Sequence, residues 1–158
     1  MRILIVYATK YGFTKKCAEK LAEGLAGQAD ICNIKSEVPP DLMHYDKLII
    51  GGPIYAGKIR KEITRFCKKN LDTLKNKRIA FFICGMVEDN VQAQINTSFP
   101  KELLSVAITK EHFGGEYKFD KMNFIERFIV KKVSGSSNNV SNIITENIDK
   151  LAKTILNA

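Results

Sequence analysis

Arg2-Ile3-Leu4-Ile5-Val6-Tyr7 forms a nearly unbroken apolar run that leads straight into Ala8-Thr9-Lys10-Tyr11-Gly12-Phe13-Thr14. An apolar run bounded by a glycine-containing loop reads as a strand buried on both faces of a parallel sheet. Beyond the loop, Phe13, Cys17, Ala18, Leu21, Ala22 and Leu25 recur at helical spacing until Gly27. Strand, hydroxyl-bearing loop and helix together make an anion site, because exposed N–H groups and the positive end of the helix dipole converge there. Thr9 and Thr14 can donate to phosphate oxygens, and Gly12 lets the backbone approach closely. Lys15 and Lys16 fall in the first helical turn, where cations oppose the dipole and a bound anion would relieve the conflict. A plain tight turn with solvated lysines is the other reading of these residues.

Working outward, strand and helix patterns alternate almost to the end of the chain. Residues 30–34 read as a second strand and 45–50 as a third, closed by Gly51-Gly52-Pro53. A helix is expected over 60–70, with Ile63, Phe66 and Cys67 inward. Residues 78–84 form a strong buried strand ending at Gly85, and 91–99 a short helix ended by Pro100. The fifth strand is expected at Leu104-Ser105-Val106-Ala107-Ile108. Another helix spans 121–133, with Met122, Ile125, Ile129 and Val133 on its apolar stripe. Residues 134–139 link it to a last helix carrying Val140, Ile144, Ile148, Leu151 and Ile155. The pattern predicts one α/β domain over residues 1–158, a parallel sheet covered by helices on both faces.

Composition narrows the class. The 158 residues allow one substantial core, and a net charge of +8 favours anionic ligands, acidic proteins or an anionic surface. The basic residues are scattered, with no basic–aromatic ladder, so no specific nucleic-acid partner is expected. Cys17, Cys32, Cys67 and Cys84 lie far apart in core-like segments, which predicts buried reduced thiols and a cytoplasmic setting. His44 and His112 have no ligand-like spacing to any cysteine, so no metal site is expected. No run is long enough to cross a bilayer, and because residues 1–8 already read as strand, no signal peptide is expected.

A doubly wound sheet binds ligands at the carboxyl ends of its strands, near the switch in strand order. Residues 9–14, 53–58 and 85–90 should therefore meet. The motifs G-x-G-x-x-G and G-x-x-x-x-G-K-[ST] are both absent after the first strand. A phosphorylatable receiver would need acidic residues where Tyr7-Ala8 and Ile50-Gly51 stand.

With those patterns excluded, the loop Thr9-Lys10-Tyr11-Gly12-Phe13-Thr14 resembles the first loop of the flavodoxin-like family, which reads T-x-[T/x]-G-x-T. The chain is similar in particular to the branch that includes menaquinone-dependent protoporphyrinogen IX dehydrogenase. The likeness is carried by residues 7–14, by Ile50-Gly51-Gly52-Pro53-Ile54-Tyr55-Ala56-Gly57, and by residues 117–135 with Phe124-Ile125-Glu126-Arg127-Phe128. It implies a flavodoxin-like three-layer sandwich with a five-stranded parallel sheet in the order 2-1-3-4-5, binding FMN. Thr9, Lys10, Tyr11, Gly12, Phe13 and Thr14 would then hold the phosphate. Pro53, Ile54, Tyr55, Ala56 and Gly57 would line the ring, with Tyr55 stacking on it and Gly57 turning its carbonyl toward N5. Gly85, Met86, Val87 and Glu88 would border the other edge.

Shuttle flavodoxins of that family are acidic and carry an aromatic in this last loop, whereas this chain is basic and has Met86 and Val87. An open ring face and a positive field favour an FMN-dependent oxidoreductase passing electrons from a small organic substrate to a quinone. An electron carrier docking acidic redox proteins is the alternative. Phe124 and Phe128 lie off the apolar stripe, beside Arg127 and Lys131. They suggest peripheral contact with the inner face of a membrane, against the plainer reading of a wide core-facing stripe.

Overall fold

In the computed structural model, which describes residues 1–117, 123–134 and 140–158, the opening run is the strand β1 (Ile3–Tyr7), buried at every position. It is followed by α1 (Phe13–Glu23), β2 (Ala29–Asn33), β3 (Lys47–Tyr55), β4 (Lys58–Ile59), α2 (Lys61–Lys69), α3 (Leu71–Lys75) and β5 (Arg78–Cys84). Next come α4 (Val91–Ser98), α5 (Lys101–Leu104), β6 (Lys110–His112), β7 (Gly114–Tyr117), α6 (Phe124–Ser134), β8 (Val140–Ile143) and α7 (Thr145–Leu156). The parallel strands lie in the order β2-β1-β3-β5-β6, which is the expected 2-1-3-4-5 order once parallel strands alone are counted. Strand β4 folds back antiparallel on the end of β3, and β7 pairs with β8 as a separate antiparallel ribbon.

Alternate residues of each strand face opposite cores. Leu4, Val6, Leu48, Ile50, Ile79, Phe81 and Ile83 pack with Ile63, Phe66, Ile95 and Leu103 from α2, α4 and α5. Ile3, Ile5, Ile49, Ala80 and Phe82 pack with Cys17, Leu21, Ile148 and Leu151 from α1 and α7. Phe81 stacks on Phe99 at 4.0 Å and Phe82 on Phe113 at 4.5 Å, one pair in each core. Gly51 is required by this packing, because a Cβ there would lie 2.4 Å from the Phe82 ring. Lys47 is buried at the far end of the sheet, where its ammonium donates to the carbonyls of Ile155 and Ala158 at 2.6 and 2.9 Å.

Four boundaries depart from the sequence reading. The third strand does not stop at Ile50 but runs on to Tyr55, because Gly52 and Pro53 keep pairing with Ile83 and Cys84. The helix expected over 60–70 is α2, with α3 added directly after it. Residues 104–108 are not the fifth strand: Leu104 ends α5, and the fifth parallel strand is β6, Lys110-Glu111-His112. Glu111 and His112 of this polar triplet are buried at the sheet edge, with the Glu111 carboxylate 3.0 Å from the Lys150 ammonium. Its polarity hid it behind the more apolar Val106–Ile108. Finally, residues 140–143 are strand β8 and the last helix starts at Thr145.

Helix α6 starts after Asn123, whose side chain accepts from the Glu126 N–H at 2.8 Å and donates to the Glu126 carboxylate at 2.9 Å. Ile125 is not on an inward stripe, as expected from spacing, but 68% exposed. Met122 and the linker residues 135–139 lie outside the described residues.

All four cysteines are free and buried, as the sequence implied. Burial pushes the Cys32 thiol up to about 11, with Glu37 adding to it, and the Cys67 thiol up to about 12. These thiols stay protonated in the folded chain while the unfolded chain loses its protons near 9.0, so their contribution to stability is complete below that pH. It is lost as pH rises through the folded values. Urea midpoints should therefore fall between about pH 9 and 12, and Cys67→Ala, less stable at neutral pH, should show a shallower fall.

Candidate cofactor site

The carboxyl ends of β1, β3 and β5 open into a cleft of about 240 Å³. The first wall is the loop into α1. Gly12 takes φ +96°, a left-handed conformation that a Cβ would strain, and begins the helix with no side-chain cap. The N–H groups of the first turn therefore keep their donor capacity, with no acidic residue in that turn to engage them. Thr9 accepts from the Gly12 N–H at 3.0 Å, which shapes the loop and leaves the hydroxyl hydrogen to donate. The Thr14 hydroxyl is buried, the residue being 1% exposed, and meets no oxygen or nitrogen partner among the described residues. A buried hydroxyl at a helix start whose polar neighbour is the weakly accepting Cys84 thiol is what a bound phosphate oxygen would satisfy.

The second wall is the end of β3. Pro53, Ile54 and Tyr55 are strand rather than loop, and the chain reverses through Ala56 and Gly57 at φ 51° and 76°. Two successive positive φ values make the tight hairpin turn whose twist suits the flanking strands. Tyr55 meets Tyr11 edge-on at 5.9 Å between ring centroids. Burial raises the Tyr55 phenol well above its ordinary range, opposed by Arg60 and reinforced by Cys84 and Glu116, so it stays protonated at physiological pH.

The third wall is the turn after β5. Gly85, Met86 and Val87 line the cleft, but Glu88 does not, contrary to expectation. Gln94 of α4 donates to the carbonyls of Val87 and Asp89 at 3.2 and 3.1 Å, and Asn90 turns at φ 61°. Together they carry Glu88 outward to solvent. Gly12 likewise sets the shape of the site without facing the cavity.

Four lining residues went unrecognised in the sequence: Cys84, Gln94, Gly115 and Glu116. Cys84 is the last residue of β5. Burial raises its thiol, contact with Cys17 adds to that, and Thr14 opposes it. Gly115 and Glu116 arrive on β7, from a stretch that looked merely polar. The Gly114-Gly115 pair was the available signal, because a Cβ on Gly115 would lie 2.3 Å from the Gly85 carbonyl carbon. His112 Nε2 lies 2.8 Å from the Gly85 carbonyl oxygen, and the Gly85 N–H donates to Gly114 at 2.7 Å, fixing that turn.

Two of the cations near the α1 start, Lys10 and Lys16, are held by acids from later elements. Lys10 lies 3.0 Å from Glu126 and sits over the Tyr55 and Tyr11 rings at 5.2 and 5.3 Å. Lys16 lies 3.7 Å from the buried Glu116 carboxylate. Among the described residues, no group of three or more His, Cys, Asp or Glu could hold a metal ion.

Parallel strands in this order, with a cleft at their carboxyl edge and an uncapped helix start in its wall, define an open α/β protein built to bind an anionic ligand. The chain belongs to the flavodoxin domain family, whose sequence profile matches residues 4–152. It is 26% identical over 147 residues to protoporphyrinogen IX dehydrogenase [quinone] of Escherichia coli (strain K12), covering 85% of this chain and 81% of that protein. The flavodoxin of Streptococcus pneumonia TIGR4 superposes with a TM-score of 0.64 at 14% identity, covering 99% of both chains. A Lactobacillus acidophilus NCFM flavoprotein solved in complex with FMN gives 0.53 at 20% identity, over 70% of this chain and 92% of that one.

Replacing Gly115 by valine tests the packing behind the cleft. Backbone surrounds the added carbons and cannot swing aside, so β7 must lift from the Gly85 turn. The expected loss is about 1–3 kcal/mol in urea unfolding, with the cleft altered as well.

Proposed function

We propose that the cleft holds FMN and that the protein is an FMN-dependent oxidoreductase, transferring electrons between a small organic substrate and a quinone. The carrying observation is the buried Thr14 hydroxyl, without an oxygen or nitrogen partner among the described residues, at the uncapped start of α1. When bound, FMN supplies electron or hydride transfer at its N5. The protein supplies the rest. The N–H groups after Gly12, with the Thr9 and Thr14 hydroxyls, hold the phosphate. Tyr55, steadied by Tyr11, walls the ring, and the turn at Ala56 and Gly57 brings bare backbone to its edge. Met86 and the half-exposed Val87 complete the rim with aliphatic side chains.

The dehydrogenase likeness and that aliphatic rim favour a porphyrinogen-like substrate with a quinone acceptor. An electron carrier for acidic proteins is the second reading, favoured by the net charge of +8 and by the flavodoxins of the same fold.

FMN titrated into the protein should lose fluorescence with saturable binding. Each charge-assisted hydrogen bond is worth roughly 1.5–3 kcal/mol, so Thr9→Ala with Thr14→Ala should weaken binding at least about a hundredfold. Unchanged affinity would put the phosphate elsewhere. Given loaded protein, porphyrinogen oxidation that depends on added quinone supports the enzyme. Rapid reduction by a reductase protein with no such turnover supports the carrier.

A further inference from the structure

We propose that α6 is a membrane-docking element that holds the cleft close to an anionic lipid bilayer. Phe124, Ile125 and Phe128 are 84%, 68% and 61% exposed, three large apolar side chains within five consecutive residues. The plainer expectation, that this helix turns its phenylalanines into the core, fails on those values. Arg127, Lys131 and Lys132 are exposed on the same helix. A short helix that offers aromatic and aliphatic side chains beside cations has the make-up of an interfacial helix, whose apolar residues enter the headgroup boundary while its cations meet anionic lipid. The charge decides the occupant, because a second copy of this basic chain would bring like charge to the same helix. No helix among the described residues is long and apolar enough to span a bilayer, so the contact is peripheral.

The location of the patch links it to the site. Glu126, which at helical spacing lies on the opposite side of α6 from Phe124 and Phe128, is the residue paired at 3.0 Å with Lys10 of the cleft wall. Docking the outer face of α6 therefore holds the cleft wall one helix diameter, ~10 Å, from the lipid surface, within reach of an acceptor that leaves the bilayer. That second step rests on the proposed quinone-linked function, whereas docking itself does not.

Sedimentation with lipid vesicles tests the docking. The full-length protein, with and without FMN, should pellet with vesicles of phosphatidylcholine and phosphatidylglycerol in equal parts. It should stay in the supernatant with phosphatidylcholine alone, and added salt should weaken the binding. Phe124→Ser with Phe128→Ser should reduce binding at least about tenfold, as should Lys131→Glu with Lys132→Glu. Both variants should keep the parent circular dichroism and FMN affinity, because the side chains changed are exposed. Absent vesicle binding, or binding undiminished by either variant, overturns the proposal. So does concentration-dependent self-association that the phenylalanine substitutions abolish, which would make the patch an interface between copies. FMN titration of the same samples reports the cofactor separately, so either reading can fail without the other.

Discussion

The parallel pairing of β3 with both β1 and β5 sets where everything else in the cleft can stand. Tyr7 is level with Gly51, Gly51 with Phe82, and Pro53 with Cys84. The three strands therefore run out at one carboxyl edge in a stagger, β1 ending level with Gly51, β5 level with Pro53 and β3 last at Tyr55, and their following loops have to meet. The register tolerates no bulk at Gly51, since the Phe82 ring occupies the place of its side chain. A slip of one residue would exchange the two cores, moving Phe81 off Phe99 and Phe82 off Phe113. Packing on both faces of the sheet, rather than anything in the loops, fixes the geometry of the cleft.

Where local chemistry and tertiary role agreed, the sequence was easy to read. β1, β3 and β5 are apolar at nearly every position because both faces are covered, and the loop from Thr9 to Thr14 declares itself by its hydroxyls and glycine. Reading failed where burial is supported by partners distant in sequence. Lys110-Glu111-His112 makes a poor strand by composition, and it is stabilised in place by Lys150 and by the Gly85 carbonyl. Glu116 enters the cleft from an antiparallel ribbon whose second strand begins at Val140, a pairing no local pattern encodes. Ile125, expected on an inward stripe from spacing alone, is exposed, because periodicity reports that a helix has an apolar side without saying what covers it.

Electrostatics ties these late elements to the first loop. Lys10 and Lys16 flank an α1 start that already carries the positive end of the dipole, an arrangement that would be unfavourable if left alone. Glu126 and Glu116 offset it, the first from α6 and the second from β7. The half-exposed Lys10–Glu126 pair contributes little to stability through solvent, and its consequence is positional. It brings α6 against the loop after β1, where the Lys10 ammonium also lies over the Tyr11 and Tyr55 rings. The acids thus leave the first-turn N–H groups free for an anion while lowering the repulsion around them.

The same arrangement bears on what kind of redox protein this is. A carrier that docks other proteins needs one edge of its ring presented to a partner and the remainder covered. Here one rim of the cleft is Tyr55 and the other is Met86 with Val87, so aliphatic side chains rather than an aromatic would border a bound ring on that side. Helix α6 is tied to the cleft wall through Glu126 and Lys10, while its Phe124, Ile125 and Phe128 are exposed. Under the proposed reading, a small-molecule exchange would use the aliphatic rim and the apolar side chains of α6, whereas docking to an acidic protein would use the net charge, which is scattered over the chain.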